Sequence, residues 1–192
     1  MKIILGSSSP FRRDILARLN LPFECISPNI DESSLEGEAH AELVERLAIA
    51  KAQAISEKCE AKALIIGSDQ VAIVDNAVLG KPGNYENAKQ QLLQSSGKKV
   101  TFLTGLALVN SENREIQADV IPFHVTFRKL SESMIESYLN KEKPYNCAGS
   151  FKSEGLGIAL FEKMEGEDPS ALIGLPLIRL IKMLENEGVR VI

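Results

Sequence analysis

The run Ala63-Leu64-Ile65-Ile66-Gly67 passes without a break into Ser68-Asp69-Gln70 and then Val71-Ala72-Ile73-Val74. It reads as the clearest central strand of the chain. A central strand needs partners, and several other segments can supply them. Lys2 to Gly6 is a short apolar run, Phe23 to Ser27 a second, and Val78 to Pro82 a return strand after the turn signal Asp75-Asn76. Lys99 to Asn110 and Glu115 to Arg128 read as two long strands joined by Ser111-Glu112-Asn113, with Pro122 pointing to an edge or a bulge in the second. Ile158 to Phe161 reads as a further strand. Helical spacing is expected from Pro10 to Asn20, Ala39 to Lys58, Asn84 to Ser95, Ser131 to about Asn140, and Pro176 to Glu185. In the last of these Leu177, Ile178, Leu180, Ile181 and Leu184 are expected inward, and Asp168-Pro169 resembles another helix start. Strands and helices mix without strict alternation. The fold class is therefore α/β or α+β, a mixed sheet flanked by helices, with residues 1–192 as a single domain.

Charge narrows the partners. The 192 residues carry a formal net charge of −4, which argues against a general nucleic-acid coat. A small anionic substrate remains compatible if its cationic ligands are gathered locally. Cys25, Cys59 and Cys147 are scattered, form no CxxC pair and suggest reduced thiols rather than a zinc site. No apolar run is long enough for a bilayer span, and the first residues are too short a run for a signal peptide. The expectation is a cytoplasmic protein with no membrane partner.

The chemistry-bearing residues lie at turns and element ends. Ser7-Ser8-Ser9-Pro10-Phe11-Arg12-Arg13 joins the first strand to the first helix. Ser9 is a good N-cap and Pro10 a good first helical residue. Helix starts and arginine forks both suit phosphate, although an ordinary capped helix with two solvated arginines fits the same letters. Lys51 falls on or beside the apolar stripe of its helix, so it either snorkels to the edge or reaches a buried anion. Asp31-Glu32, Asp69 and Lys81 complete a scattered set. Carboxylates that hold a hard divalent ion, with cations that neutralise phosphate oxygens, suit metal-assisted phosphate chemistry. No Walker-type loop, no GxGxxG after a strand and no GxSxG elbow is present.

An ordered series of short motifs resembles the Maf family of nucleoside triphosphate pyrophosphatases from end to end. It comprises Ser7 to Arg13, Asp31-Glu32, Arg46-Leu47-Ala48 with Lys51-Ala52, Gly67-Ser68-Asp69-Gln70, Gly80-Lys81-Pro82, Thr104-Gly105, Gly149 to Gly155, Asp168-Pro169-Ser170 and Gly174-Leu175-Pro176. The resemblance is nearest to the branch that acts on 7-methyl-GTP. It implies an elongated mixed sheet with a central cleft, often in a dimer, and hydrolysis of a nucleoside triphosphate to the monophosphate and diphosphate. It also implies a divalent cation, with magnesium, manganese and cobalt as candidates. By motif, Asp69 is the expected general base and, with Glu32, a metal ligand. Ser7, Arg12, Arg13, Lys51 and Lys81 are expected to grip the triphosphate. Phe11, Gln70 and Glu154 are expected to set which base is accepted. The 7-methyl-GTP branch carries tryptophan where this chain has Phe11, and phenylalanine is the weaker cation partner. The pyrimidine branch carries arginine, a small hydroxyl residue and glutamine at those three places. The alternatives are a dTTP/UTP-type enzyme of the same family, or a nucleotide-binding regulator of cell division without turnover.

Overall fold

A computed structural model describes residues 1–59 and 61–192. Seven strands form one mixed sheet in the order β2-β1-β3-β5-β6-β7, with β4 pairing β3. These are β1 (Lys2–Gly6), β2 (Glu24–Cys25), β3 (Ala63–Val74), β4 (Ala77–Leu79), β5 (Lys99–Asn110), β6 (Ile116–Phe127) and β7 (Phe161–Gly166). The helices are α1 (Pro10–Leu16), α2 (His40–Ser56), α3 (Tyr85–Ser95), α4 (Glu132–Glu142) and α5 (Leu177–Asn186). By internal contacts the chain divides into two compact units. The first holds Met1–Gln70, Leu103–Ile121 and Asp168–Ile192; the second holds Val71–Phe102 and Pro122–Glu167.

In the first unit β1 runs parallel to both β2 and β3, with Ile4 opposite Ile65 and Gly6 opposite Gly67. Ile4, Ile65, Ala52, Ile55 and Val109 share one buried cluster. Helix α2 lies on the strands with its backbone close to them, because two strand positions lack a side chain. A Cβ built on Gly67 of β3 would fall 2.0 Å from the Ala48 carbonyl oxygen, and one on Gly105 of β5 2.1 Å from that of Val44. No real Cβ fits at such distances, so both glycines are needed for helix and sheet to meet this closely. The N-terminus of α2 is held by Glu42, whose carboxylate accepts from the Ala39 N–H at 3.1 Å.

In the second unit β4 turns back antiparallel onto β3 through Asp75 and Asn76, both with positive φ. Asn84 and Ser131 cap α3 and α4 through their side chains. Phe151 packs edge-on against Phe102, Phe127 and Phe161, at centroid separations of 5.4, 5.6 and 4.8 Å.

Three local expectations need correction. The segment Leu156–Leu160 is a 3₁₀ turn, and the strand begins only at Phe161. Ile178 on α5 is exposed, and Met183 fills the inward position with Leu180 and Leu184. Asp69 does not follow a strand end, because β3 is continuous from Ala63 to Val74. Pro122 immediately precedes Phe123–Phe127, the residues of β6 that pair with β7.

Candidate active site

The first unit gathers most of the singled-out charges. The parallel pairing of β1 with β3 stops at Gly67, and β4 pairs only from Ala72 onward. Asp69 lies in the interval between, inside a strand but beyond the end of its neighbour. Lys51 stands one turn after Ala48, the residue pressed against Gly67, so the close helix–sheet contact aims its side chain at this interval. The Lys51 ammonium lies 2.7 Å from Asp69 Oδ1 and 3.0 Å from Glu32 Oε2. Lys51 is only 5% exposed and Asp69 9%. Of the two placements open to Lys51 in sequence, the buried-anion one is observed. Burial lowers the Arg12 pKa from its ordinary value, and the negative charges of Asp69 and then Glu32 act against that shift. Arg12, Lys51, Asp69 and Glu32 therefore form one electrostatic group, with two positive and two negative charges.

The loop that brings Glu32 into place is held from α2. Arg46 forks onto Glu38 at 2.5 and 2.8 Å and donates to the Ser33 carbonyl at 3.1 Å. The Glu38 carboxylate also accepts from the Leu35 N–H, and these bonds, that of Arg46 foremost, pull its pKa down to about 2. Asp31 turns to Ser33, accepting from its N–H and its hydroxyl, which lowers the Asp31 pKa as well. Of the Asp31-Glu32 pair, only Glu32 reaches Lys51.

Arg12 is fixed by a turn from the far end of the sequence. Its Nε donates to the Gly174 carbonyl at 2.8 Å, and the Ser68 hydroxyl lies 2.8 Å from the same oxygen and 2.9 Å from that of Gly105. The turn is built by Asp168, which accepts from the Ser170 N–H and hydroxyl and from the Ile178 N–H, and ends at Gly174 with φ of +107°. The Gln70 amide nitrogen donates to the Thr104 hydroxyl at 2.9 Å and to the Ala171 carbonyl at 2.7 Å. Its NH₂ group is thus committed to the turn. Ser7 is buried, and its hydroxyl accepts from the Ser9 N–H at 3.1 Å. Ser9 in turn caps α1, accepting from the Arg12 N–H. Phe11 is half-buried. Arg13 is exposed and forks onto its neighbour Asp14, so it stays outside the group.

In the second unit Lys81 and Glu154 are both exposed. Burial raises the Cys147 thiol to about 11, and the charges of Lys152, Glu154, Glu142 and Lys81 all act on it. These groups therefore share one neighbourhood. The loop carrying Glu154 is tied to α4: the Lys152 N–H donates to the Tyr138 hydroxyl oxygen at 3.1 Å, and the Leu156 N–H to Glu142 Oε2 at 2.9 Å.

Among the described residues, no group of three or more His, Cys, Asp or Glu side chains is placed to hold a metal ion. Glu32 and Asp69 are nonetheless two hard oxygen donors held at one ammonium. They fit a magnesium- or manganese-type ion, which takes its other ligands from water and substrate phosphates. No helix in the described residues is long and apolar enough to cross a membrane.

Sequence reasoning missed the Arg46–Glu38 fork, the Ser68 and Asp168 bonds, and Glu142. Isolated glycines inside strand patterns were the one available signal for the close approach of α2. Nothing in the spacing marks Glu38 or Glu142, whose partners are chosen by folding.

A family model described as Maf-like protein matches residues 2–187. A relative from Pseudomonas aeruginosa, named 7-methyl-GTP pyrophosphatase, is 57% identical over 98% of this chain and 98% of its own. Another of that name, from Colwellia psychrerythraea, is 55% identical over 99% of this chain and 94% of its own. A solved dITP/XTP pyrophosphatase from Mycobacterium abscessus aligns with a TM-score of 0.45 at 21% identity, over 68% of this chain and 76% of that one. A likeness of that size says nothing about substrate.

Proposed function

The chain belongs to the Maf family, and from that membership we propose that it hydrolyses 7-methyl-GTP to 7-methyl-GMP and diphosphate. The observation that carries this reading is the buried Lys51 bridging Asp69 and Glu32, with Arg12 in their field. Two carboxylates and two cations gathered at one place, with Glu32 exposed beside the buried Lys51 and Asp69, suit a polyphosphate and its counter-ion.

In this reading Asp69 accepts the proton of the water that attacks the α-phosphorus. The bond from that phosphorus to the bridging oxygen breaks, and diphosphate leaves. Lys51 and Arg12 bind phosphate oxygens whose charge grows as the bond opens. Glu32 and Asp69 would hold a divalent cation, which when bound supplies further charge neutralisation to the phosphates. Ser7 orders the turn before α1, and Lys81 binds phosphate through its Gly80-Lys81-Pro82 motif. Arg13, committed to Asp14, has no part in the reading.

N7-methylation makes guanine a delocalised cation. Phe11 can stack on such a ring, a gain of about 0.5–2 kcal/mol. Glu154 can accept from the guanine edge and complements the positive charge. Gln70, whose NH₂ is tied to the Ala171 carbonyl, acts on the base by fixing that turn. A pyrimidine leaves Glu154 poorly paired, which costs more than the lost contact.

The test is a panel of 7-methyl-GTP, dTTP and UTP with added divalent metal, reading diphosphate release. The highest kcat/KM is expected for 7-methyl-GTP. Preference for dTTP or UTP would assign the pyrimidine reaction instead. No diphosphate from any of them would leave a nucleotide-binding regulator.

A further inference from the structure

Glu154 is followed and preceded in the chain by residues that one side chain holds. Glu142, at the end of α4, accepts from the Leu156 N–H at 2.9 Å and lies 3.3 Å from the Lys152 ammonium. Its backbone carbonyl is a second acceptor for that ammonium at 3.4 Å. A Cβ on Gly155 would approach both Glu142 carboxylate oxygens at 3.0 Å, so the loop is laid directly over this carboxylate. The loop also closes on itself: the Gly157 N–H donates to the Lys152 carbonyl at 3.0 Å, and a Cβ on Gly157 would strike that oxygen at 2.2 Å. Glu154, at the crest, has one recorded partner among the described residues, the Ser153 hydroxyl at 3.2 Å.

Lys152 is two residues from Glu154 and is the nearest cation along the chain. Were its ammonium free, the strongest acceptor for it on this loop would be the Glu154 carboxylate. A Glu154 neutralised by a neighbouring lysine has little left for a cationic base. Glu142 removes that competitor by pairing with it, while its other oxygen fixes the backbone beyond Glu154.

We propose that Glu142 is a positioning residue for base selectivity: it holds the 152–156 loop over α4 and keeps Lys152 away from Glu154, leaving that carboxylate free for the methylated purine. The inference rests on the reading that Glu154 meets the base. It predicts that Glu142 acts without touching substrate, and that its loss harms 7-methyl-GTP more than UTP.

The experiment compares the kcat/KM ratio of 7-methyl-GTP to UTP in Glu142→Ala, Glu142→Gln, Glu154→Gln and the double variant Glu142→Ala/Lys152→Met. Glu142→Ala should lower the ratio about tenfold, mainly through the KM for 7-methyl-GTP, as expected for about 1.4 kcal/mol of lost discrimination. Glu142→Gln keeps an acceptor for Leu156 and should lose less. Removing the freed lysine in the double variant should recover part of the ratio, which general loosening would not allow. Amide exchange at Leu156 should quicken in Glu142→Ala and stay slow in Glu142→Gln. If Glu154→Gln lowers the ratio while both Glu142 variants stay within twofold of the parent, the positioning role is overturned and the reading of Glu154 survives. If Glu154→Gln itself leaves the ratio unchanged, both fall. If Glu142→Ala does not fold, the ratio in Glu142→Gln decides the question: a fall below the parent supports the positioning role, and a value within twofold of it overturns the role.

Discussion

Asp69 and Glu154 are both acids that the family motifs bring forward, and they stand in contrasting settings. Asp69 is buried in a continuous strand and locked on the Lys51 ammonium at 2.7 Å. Glu154 is exposed at the crest of a loop and meets only the neighbouring Ser153 hydroxyl among the described residues. The first has its geometry set before any ligand arrives, which is what the proposed general base requires. The second has its partner withheld, which is what a group that must exchange water for a ligand requires. Rigidity is supplied in different ways as well. Around Asp69 it comes from helix backbone pressed on strand glycines; around Glu154 it comes from two side chains of α4, the Glu142 carboxylate and the Tyr138 hydroxyl.

The contrast is most exposed to test at Asp69. Asp69→Asn keeps the shape and a weaker contact to Lys51 but cannot take a proton, so diphosphate release should fall about 10²–10⁴-fold with nucleotide binding retained. Near-normal turnover in that variant would remove Asp69 from the chemistry. Next in size is Gly67→Ala. Its Cβ meets the Ala48 carbonyl oxygen, so unfolding stability should fall by about 1–3 kcal/mol or more, read as a lower midpoint in denaturant. Gly80→Ala in the second unit meets nothing within 4 Å and should stay within about 0.5 kcal/mol of the parent. Equal effects at the two glycines would end the claim that close backbone approach sets the Lys51–Asp69 contact. A smaller change is expected in Glu154→Gln, which should narrow the preference for 7-methyl-GTP over UTP about tenfold while sparing stability, as befits an exposed side chain.

The smallest effect is a titration. Glu38 sits at about 2 in the folded protein against an ordinary 4.5. Because the folded carboxyl holds its proton less tightly, the fork with Arg46 contributes to stability in full above about 4.5. That contribution fades as pH falls from there toward 2. Carboxyl NMR should show Glu38 ionised at pH 3.5, and Arg46→Met should return it toward the ordinary range. Unchanged titration in Arg46→Met would free the Glu32 loop from this clamp.

How much of this was legible beforehand differs by residue. The Ser9 cap, the Asn84 and Ser131 helix starts and the long β5–β6 pair follow from local preferences and appear where the letters put them. Ile178 is exposed although its spacing places it inward, because a helical stripe marks which residues are apolar, not how wide a face its neighbours cover. Arg12 and Arg13 are adjacent and chemically alike, yet one donates to Gly174, which is 162 residues away in sequence, and the other to Asp14 beside it. No local rule separates them.

The amino-acid sequence by itself settled the inventory: a mixed α/β chain, a family series of motifs, and a set of acids and bases suited to phosphate chemistry. These follow from periodicity, capping and residue type, which act over a few positions at a time. The tertiary structure alone decided which of those charges become partners. Lys51 reaches Asp69 and Glu32 only because two strand glycines admit the helix backbone, and Glu142 reaches Lys152 and Leu156 only because the loop folds back over α4. Such pairings depend on close packing between segments distant in the chain, and on the cost of leaving a buried charge alone, neither of which is written in any single stretch.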